Sequence, residues 1–219
     1  EAVAIANQGA GKISTLIVPA DCAWNDSVDP APLKPAVPLV TVGVEAVDQA
    51  AELLQNGKTT MILLGNMGLT EEALSLADKI GQASGARIFT DTFFTRMPRG
   101  EGRCQVERLQ YFAEMGVEQI KDIEQLIMVG TKAPVAFFAY PGKPSEFYAP
   151  GSELHTLANV DEDAVDALSR LVTAIGAESE KPRYTKLVKA GPGKDGLSPG
   201  TIGMTFAEYL PVDAIVVDE

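Results

Sequence analysis

Residues 60–68 read Thr60-Met-Ile-Leu-Leu-Gly-Asn-Met-Gly68, and this stretch decides the fold. Its first half, Thr60–Leu64, is a short continuous apolar run that ends at a glycine, which predicts a strand buried on both faces. Thr70 follows as a helix N-cap, and two glutamates in the first turn complement the positive end of the helix dipole. We therefore expect a strand, a tight turn and a helix in direct succession.

The same alternation of strand and helix continues on both sides of this unit. Further strands are predicted at Arg87–Thr90, Leu126–Val129 and Leu154–Leu157. Apolar residues at helical spacing predict helices over residues 44–54, 70–85, 106–113, 117–123 and 161–176, the last capped by Asp161. Strands separated by helices pair in parallel through right-handed crossovers. The predicted fold class is therefore α/β, a Rossmann-like three-layer domain with a mainly parallel sheet.

Proline and glycine divide the chain into a central domain and two flanks. Residues 26–38 and 178–197 are rich in proline or glycine and are expected to be linkers. The segment between them, residues 39–177, has the usual size of a domain. Each flank is predicted to be one helix and one strand that cannot bury both faces alone: residues 1–25, with a strand at Ile13–Val18, and residues 198–219, with a strand at Ala214–Val217.

The charge balance excludes some classes of partner. The chain has 219 residues, with 18 Lys and Arg against 30 Asp and Glu, which gives a formal net charge of −12. Such an acidic surface repels phosphate backbones and anionic lipids, so we expect neither nucleic-acid binding nor membrane-surface binding. Small molecules and protein partners remain.

The cysteines and the histidine suggest neither a metal site nor a disulfide framework. Cys22 and Cys104 lie far apart and outside any Cys-x-x-Cys spacing, which fits a reducing compartment and hence the cytoplasm. No stretch has the apolar length of a membrane span. We interpret His155, the one histidine of the chain, as a partly buried strand residue rather than a base or a metal ligand.

Three segments resemble, in order, parts of one enzyme family. Leu16–Trp24 (Leu-Ile-Val-Pro-Ala-Asp-Cys-Ala-Trp) is similar to the closing strand of the pyrimidine-binding domain in thiamine-diphosphate-dependent enzymes of the acetolactate synthase and benzoylformate decarboxylase group. Leu126–Gly142 resembles the late strand and loop of that family's central domain, in its acetolactate-synthase-like branch. Leu210–Glu219 resembles the opening strand of its pyrophosphate-binding domain.

This resemblance implies the end of a pyrimidine domain, a whole central domain and the start of a pyrophosphate domain. In the family, the glutamate that protonates the pyrimidine ring lies upstream of the position matching Glu1. The Gly-Asp-Gly signature that holds magnesium and the diphosphate lies downstream of the position matching Glu219. The parent is expected to be a homo-oligomer that condenses or cleaves 2-keto acids with thiamine diphosphate and magnesium, and we expect this chain alone to be inactive.

The resemblance also nominates a nucleotide site, because some family members hold FAD or ADP on central-domain loops. The nominated residues follow the predicted strands or lie on a loop: Gly65, Asn66, Gly68, Thr90, Gly130, Thr131, Lys132 and Arg99. N–H groups of the Gly65–Gly68 turn could face an anion, since a helix N-terminus carries unpaired donors. The alternative is a tight turn that needs two glycines.

Two further clusters each allow two interpretations. Arg96, Arg99 and Arg103 could clamp a phosphate or carboxylate, or dock their loop onto a neighbouring domain or subunit. This loop lacks the histidine-bearing glycine motif expected in FAD-containing acetolactate synthases, which argues against a flavin. An aromatic patch is either an interface or core beneath the sheet edge: Phe137, Phe138, Tyr140, Phe147 and Tyr148.

Two other functions fit the same residues. The chain could be a free-standing module that binds FAD or ADP, or an interaction domain without a ligand. Thermal stabilisation by either nucleotide would favour the first of these. A monomer in solution would argue against the aromatic patch as a self-association surface.

Overall fold

A five-stranded sheet organises the middle of the chain. The structure, a computed structural model, describes residues 1–9, 11–26, 32, 34–35, 37–189 and 191–217. The strands are β1 (Thr60–Leu64), β2 (Arg87–Thr90), β3 (Glu107–Arg108), β4 (Gln125–Val129) and β5 (Glu153–Ala158). The α-helices are α1 (Ala2–Ala6), α2 (Ala20–Trp24), α3 (Val44–Gln55), α4 (Glu71–Ser84), α5 (Ala113–Ile120), α6 (Ala164–Ala174) and α7 (Pro199–Tyr209), and a 3₁₀ helix covers Asn66–Leu69. No helix in these described ranges is long and apolar enough to cross a membrane.

The strand order places β1 at the centre of a wholly parallel sheet. The order is β3-β2-β1-β4-β5, and every neighbouring pair is parallel. At the carboxyl edge, Leu64 of β1 lies beside Thr90 of β2 on one side and beside Val129 of β4 on the other. The connections change direction between β1 and β4, and ligands of open parallel sheets bind near such a switch point. The predicted α/β class is confirmed.

Helices cover both faces of the sheet, because the side chains of β1 alternate between two cores. Ile62 and Leu64 belong to the larger core, which includes residues of α3, α4 and α6. Met61 and Leu63 belong to the smaller core, which includes Phe89 and residues of α5. All five residues of β1 are buried, as the continuous apolar run predicts.

The helix after β1 has the predicted ends. Thr70 caps α4, because its hydroxyl oxygen accepts a hydrogen bond from the Ala73 N–H at 3.2 Å. Gly85 ends α4 with a φ of 79°, a left-handed conformation that favours glycine.

The cap of α6 lies two residues later than predicted. Asp163, and not Asp161, caps the helix, because its Oδ1 accepts from the N–H groups of Val165 and Asp166 at 3.1 and 3.0 Å. The carboxylate of Glu162 accepts instead from the backbone N–H and side-chain amide of Asn159. Residues 159–162 therefore form a turn of their own, and α6 begins only after Asp163.

Replacing Asp163 by alanine is therefore expected to lower the free energy of unfolding by about 1 kcal/mol, because two N–H groups of α6 lose their acceptor. Urea denaturation followed by circular dichroism measures the change. Asp161→Ala is the matched control and should change stability by less than about half as much. Equal losses in the two variants would contradict the assignment of the cap.

The helix predicted over residues 106–113 is wrong, because only Ala113 at its end is helical. Glu107–Arg108 form β3 instead, an exposed edge strand paired with the end of β2. A few apolar residues at helical spacing do not outweigh backbone pairing with a buried strand. The helix predicted over residues 117–123 begins and ends earlier than expected, since α5 covers Ala113–Ile120.

The chain forms two compact units, one of Glu1–Arg99 with Arg103–Tyr184 and one of Gly100–Gly102 with Thr185–Glu219. The helices predicted in the flanks are present, α1 in the first unit and α7 in the second, where Ser198 caps α7. The strands predicted at Ile13–Val18 and Ala214–Val217 are not formed, and most of these residues are exposed. A strand needs a neighbour to pair its N–H and C=O groups, and the described residues provide none for either segment.

The two predicted linkers differ in what the structure describes. Of the linker at 26–38, residues 27–31, 33 and 36 lie outside the described residues, as do Asp218 and Glu219 at the end of the 198–219 flank. The first part of the linker predicted at 178–197 is hydrogen-bonded to α4. The buried Asp78 carboxylate of α4 accepts from the Arg183 guanidinium at 2.7 Å, and Gln82 donates to the Lys181 carbonyl at 2.8 Å.

Candidate functional site

A carboxylate and a hydroxyl meet at the carboxyl edge of the sheet. Asp91 follows β2 and Thr131 follows β4, and the end of β1 at Gly65 lies between these strands. The Thr131 hydroxyl donates a hydrogen bond to Asp91 Oδ2. A Cβ atom on residue 65 would lie 2.7 Å from Thr131 Cβ and 3.2 Å from Asp91 Oδ2. The absence of a side chain at Gly65 therefore allows the pair to form.

The glycine turn after β1 is closed by its own hydrogen bonds. The Gly65 N–H donates to the Val129 carbonyl at 2.9 Å, and the Gly68 N–H donates to the Gly65 carbonyl at 2.8 Å. The Gly130 N–H donates to the Ala158 carbonyl at 2.8 Å. Because these three donors are engaged within the backbone, the geometry favours the tight-turn interpretation of Gly65–Gly68 over an anion cradle.

Asn66 joins the turn to the end of β4. Its φ is 44°, in the left-handed region, and its Nδ2 donates to the Gly130 carbonyl at 2.8 Å. The next helix starts with Glu71 and Glu72, which place negative charge where a phosphate at the α4 N-terminus would lie. The side of the turn that faces α4 is therefore a poor site for an anion.

A cleft of about 240 Å³ opens beside the Asp91–Thr131 pair. Its polar lining is Asp91, Thr92, Thr131 and Lys132. Its other lining residues are apolar or aromatic: Phe93, Leu109, Tyr111, Ala133, Pro134, Val135, Phe137 and Phe147. A mainly apolar wall with a few polar groups is the usual form of a small-molecule site, and typical sites hold about 300–1,000 Å³. The cleft is therefore large enough for part of a nucleotide.

Asp91 is the one acidic side chain that lines this cleft among the described residues. Burial raises the pKa of the Asp91 carboxyl above its ordinary value, and the hydrogen bond from Thr131 lowers it in part. The sequence analysis did not nominate Asp91. The available signal is its position directly after β2, about 20 residues beyond the glycine turn, where dinucleotide-binding folds place the acid that accepts from ribose hydroxyls.

The nominated residues divide into three groups in the structure. Thr131 and Lys132 line the cleft. The turn residues and Gly130 lie beside it and hold the ends of β1 and β4 together. Thr90 is fully buried, and its hydroxyl has no hydrogen-bond partner in the part of the chain that the structure describes. Arg99 is exposed and does not line the cleft.

The arginine loop is tied to the domain that carries it. Arg103 Nε lies 3.1 Å from Glu71 Oε2 on α4. Arg96 and Arg99 are exposed. Arg103 therefore holds the loop against its own compact unit, and docking onto a neighbouring domain or subunit stays a prediction.

The aromatic patch combines both interpretations that the sequence left open. Phe147 is 2 % exposed and belongs to the smaller core, and Tyr148 packs against that core. Phe137, Phe138 and Tyr140 are exposed, with relative exposures of 62 %, 44 % and 58 %. One end of the patch is therefore core and the other is surface.

His155 has a structural position, as predicted. It lies on β5 and is buried, and its Nε2 is 2.7 Å from the Ala46 carbonyl oxygen on α3. A carbonyl oxygen only accepts, so Nε2 carries the proton and links the strand to the helix.

No family model matches the chain. A curated Mycobacterium tuberculosis (strain ATCC 25618 / H37Rv) protein named "Putative acetolactate synthase large subunit IlvX" is 37 % identical over 227 residues, which covers 100 % of this chain and 42 % of that protein. The chain thus spans less than half the length of this relative.

Solved structures agree with the fold. An X-ray structure of a "putative thiamin diphosphate-dependent enzyme" from Mycobacterium smegmatis matches with a TM-score of 0.67 and 20 % identity, over 96 % of this chain and 44 % of that one. Benzoylformate decarboxylase from Polynucleobacter necessarius matches with a TM-score of 0.53 and 17 % identity, over 82 % of this chain and 36 % of that one. The chain is therefore similar over its whole length to part of a protein named as an acetolactate synthase large subunit, and its fold is similar to parts of thiamine-diphosphate-dependent enzymes.

Proposed function

We propose that this chain is the central-domain region of a thiamine-diphosphate-dependent 2-keto-acid carboligase or decarboxylase and that its role is architectural. The observation that carries the proposal is the match over the whole chain to 42 % of an acetolactate synthase large-subunit-like relative. The sheet of residues 60–158 has its own two cores, whereas the strand segments of the flanks are unpaired. A stable central domain between two reactive domains would hold them at a set separation.

The residues of this chain do not fit thiamine diphosphate or its magnesium ion. The sequence contains no Gly-Asp-Gly signature, and the described ranges contain no group of three Asp, Glu, His or Cys side chains that could hold a metal ion. The resemblance assigns those groups to the neighbouring domains of the parent. In the proposed parent, thiamine diphosphate held by those domains would supply the nucleophile and electron sink for 2-keto-acid chemistry.

The purified chain is expected to show no turnover of pyruvate or benzoylformate when thiamine diphosphate and magnesium are added, because it holds neither group. Decarboxylation assays and thermal denaturation with and without the cofactor test this, and no change in Tm is expected. A longer chain that includes both neighbouring domains is the control and should turn over a 2-keto acid. Turnover by the 219-residue chain alone would overturn the proposal.

A second function, binding of an ADP moiety, is supported by the position of Asp91 at the end of β2. The strand order β3-β2-β1-β4-β5 matches five of the six strands in the order 3-2-1-4-5-6 of the dinucleotide-binding fold. We propose that the Asp91 carboxylate accepts from the ribose hydroxyls, that the aromatic wall of the cleft covers the base, and that Lys132 faces phosphate. The N–H groups of Gly65, Gly68 and Gly130 are engaged within the backbone, so these residues would shape this edge without donating to the nucleotide. Asn66, Thr90 and Thr131 would shape the same edge beside them.

ADP is expected to raise the Tm of the chain by several degrees, and FAD should act in the same way if the cleft takes the ADP half that both ligands share. Asp91→Asn should weaken ADP binding about tenfold, because one acceptor oxygen becomes a donor. Asp161→Asn is the matched control and should bind ADP normally. Affinity should fall as the pH drops through the raised pKa of Asp91, because only the ionised carboxylate accepts from both hydroxyls. Indifference to both nucleotides would exclude this function and the free-standing nucleotide module.

A further inference from the structure

Asn56 and Gly57, at the end of α3, are the one place in the sequence where a glycine follows an asparagine. In such a pair the backbone nitrogen of the glycine can approach the asparagine side chain closely, because glycine has no Cβ atom. Asparagine amides are also among the thermolabile groups of proteins. Both residues are exposed, so water reaches them. The pair is therefore a candidate site for loss of the side-chain amide.

A buried glutamine holds the Asn56 side chain in place. Asn56 Nδ2 donates to Gln125 Oε1 at 2.6 Å, and Asn56 Oδ1 lies 3.2 Å from Gln125 Nε2. The Lys58 N–H also donates to Asn56 Oδ1, at 3.0 Å. Gln125 is fully buried at the start of β4, and its Nε2 lies 3.0 Å from the Leu53 carbonyl oxygen of α3. The Asn56 amide is therefore a fixed part of the contact between the end of α3 and the sheet.

The backbone of Asn56 keeps the two reacting groups apart. For attack, Gly57 N must eclipse Asn56 Cβ about the Cα–C bond, so that a five-membered ring can close. The observed ψ of 0° makes Gly57 N eclipse the Asn56 nitrogen instead. Ring closure therefore requires that ψ rotates and that the side chain leaves Gln125, which is a local opening of the end of α3.

We propose that Asn56 is a deamidation site, which the folded chain protects and which local opening of the α3 end makes reactive. After opening, Gly57 N loses its proton, its lone pair forms a bond to Asn56 Cγ, and the Cγ–Nδ2 bond breaks to release ammonia. Water then adds to one of the two carbonyl carbons of the cyclic imide and breaks the bond from that carbon to Gly57 N. The product is aspartate or isoaspartate at position 56, with one water consumed, one ammonia released and nothing oxidised.

The product no longer fits Gln125. A carboxylate at position 56 has no N–H group, so its oxygen would face the acceptor Gln125 Oε1 across the 2.6 Å that Asn56 Nδ2 now spans. Isoaspartate also lengthens the main chain by one carbon atom between α3 and β1. Deamidation should therefore weaken the attachment of α3 to β4. The site is separate from nucleotide binding, because neither Asn56 nor Gln125 lines the cleft beside Asp91.

Peptide mass mapping of the full chain, incubated at mildly alkaline pH with and without urea, tests the proposal. Asn56 should lose its amide at least about tenfold more slowly in the folded chain than in urea, because the folded chain must first open. Gly57→Ala should slow the loss in urea about tenfold or more, because its Cβ hinders the attacking nitrogen. Equal rates with and without urea would overturn the protection by the fold, and retention of the amide in urea would overturn the site.

Two destabilised variants separate local opening from general unfolding. Gln125→Leu removes both hydrogen bonds between Gln125 and Asn56 and should raise the rate in the folded chain about tenfold. Gly130→Ala is the matched control, because its added Cβ meets the Gly65 carbonyl oxygen and leaves the contacts of Asn56 in place. It should raise the rate less, at a temperature where circular dichroism shows both variants to be folded. Equal acceleration would overturn local opening as the step that exposes Asn56.

Asn56→Asp carries the side chain of one product and tests the consequence for stability. Its urea midpoint should fall below that of the parent chain, because the donor to Gln125 is lost. Gln55→Glu adds the same charge at the neighbouring exposed position and should have a smaller effect. An Asn56→Asp variant as stable as Gln55→Glu would overturn the conclusion that deamidation loosens α3.

Discussion

Alanine at position 130 is expected to lower the free energy of unfolding by more than about 3 kcal/mol. Gly130 has a φ of 68°, in the left-handed region, where a Cβ atom alone costs about 1–2 kcal/mol. The added Cβ would also lie 2.5 Å from the Gly65 carbonyl oxygen. That carbonyl accepts from the Gly68 N–H and cannot swing away without opening the turn. The clash is therefore between backbones and not with a flexible side chain.

Gly85→Ala is the matched control for Gly130→Ala. Gly85 has a φ of 79°, and a Cβ atom there would meet nothing within 4 Å, so this variant isolates the cost of the left-handed conformation. Urea denaturation of the two variants should give a loss of about 1 kcal/mol for Gly85→Ala and at least twice that for Gly130→Ala. Equal losses would show that the close approach of residues 65 and 130 contributes nothing to stability.

The buried elements of this fold could be predicted from the sequence because their signals are local. The run Thr60–Leu64, the Thr70 cap and Gly85 each act through one residue or a short apolar period, and all three are present in the structure. The edge strand β3 could not be predicted in this way, because Glu107–Arg108 are exposed and become a strand only through pairing with β2. The strands predicted at Ile13–Val18 and Ala214–Val217 are wrong for the converse reason. These segments have strand-like sequences but no partner strand among the described residues.

Two of the nominated residues lie at the candidate site, whereas its carboxylate was not nominated. Strand ends with glycine indicated the carboxyl edge, and Thr131 and Lys132 do line the cleft there. The Asp91–Thr131 pair was missed, because these residues are 40 positions apart and meet only when β2 and β4 lie on either side of β1. The exposure of Phe137 and the burial of Phe147 likewise depend on how one loop folds over the sheet edge.

Replacing Gln125 by leucine is the second substitution with a large expected effect, a loss of about 3 kcal/mol. Gln125 begins β4 and is fully buried. Its Nε2 lies 3.0 Å from the Leu53 carbonyl on α3 and 2.7 Å from the Thr60 hydroxyl on β1, and its Oε1 accepts from Asn56 Nδ2 at 2.6 Å. Leucine has a similar volume but leaves a buried carbonyl and a buried hydroxyl without this partner, at about 1–3 kcal/mol each.

Gln125→Glu separates the contribution of hydrogen bonding to stability from that of packing, because glutamate has nearly the shape of glutamine. The ionised carboxylate cannot donate to the Leu53 carbonyl, whereas the protonated acid can, and burial further disfavours the charge. The variant should therefore be strongly destabilised near pH 7 and should regain stability, relative to the parent chain, as the pH falls towards about 4.5. Gln55→Glu, on the exposed side of α3, is the control and should show no such recovery. Urea denaturation at several pH values measures the difference, and a loss for Gln125→Glu that does not change with pH would mean that this network does not couple α3 to the sheet.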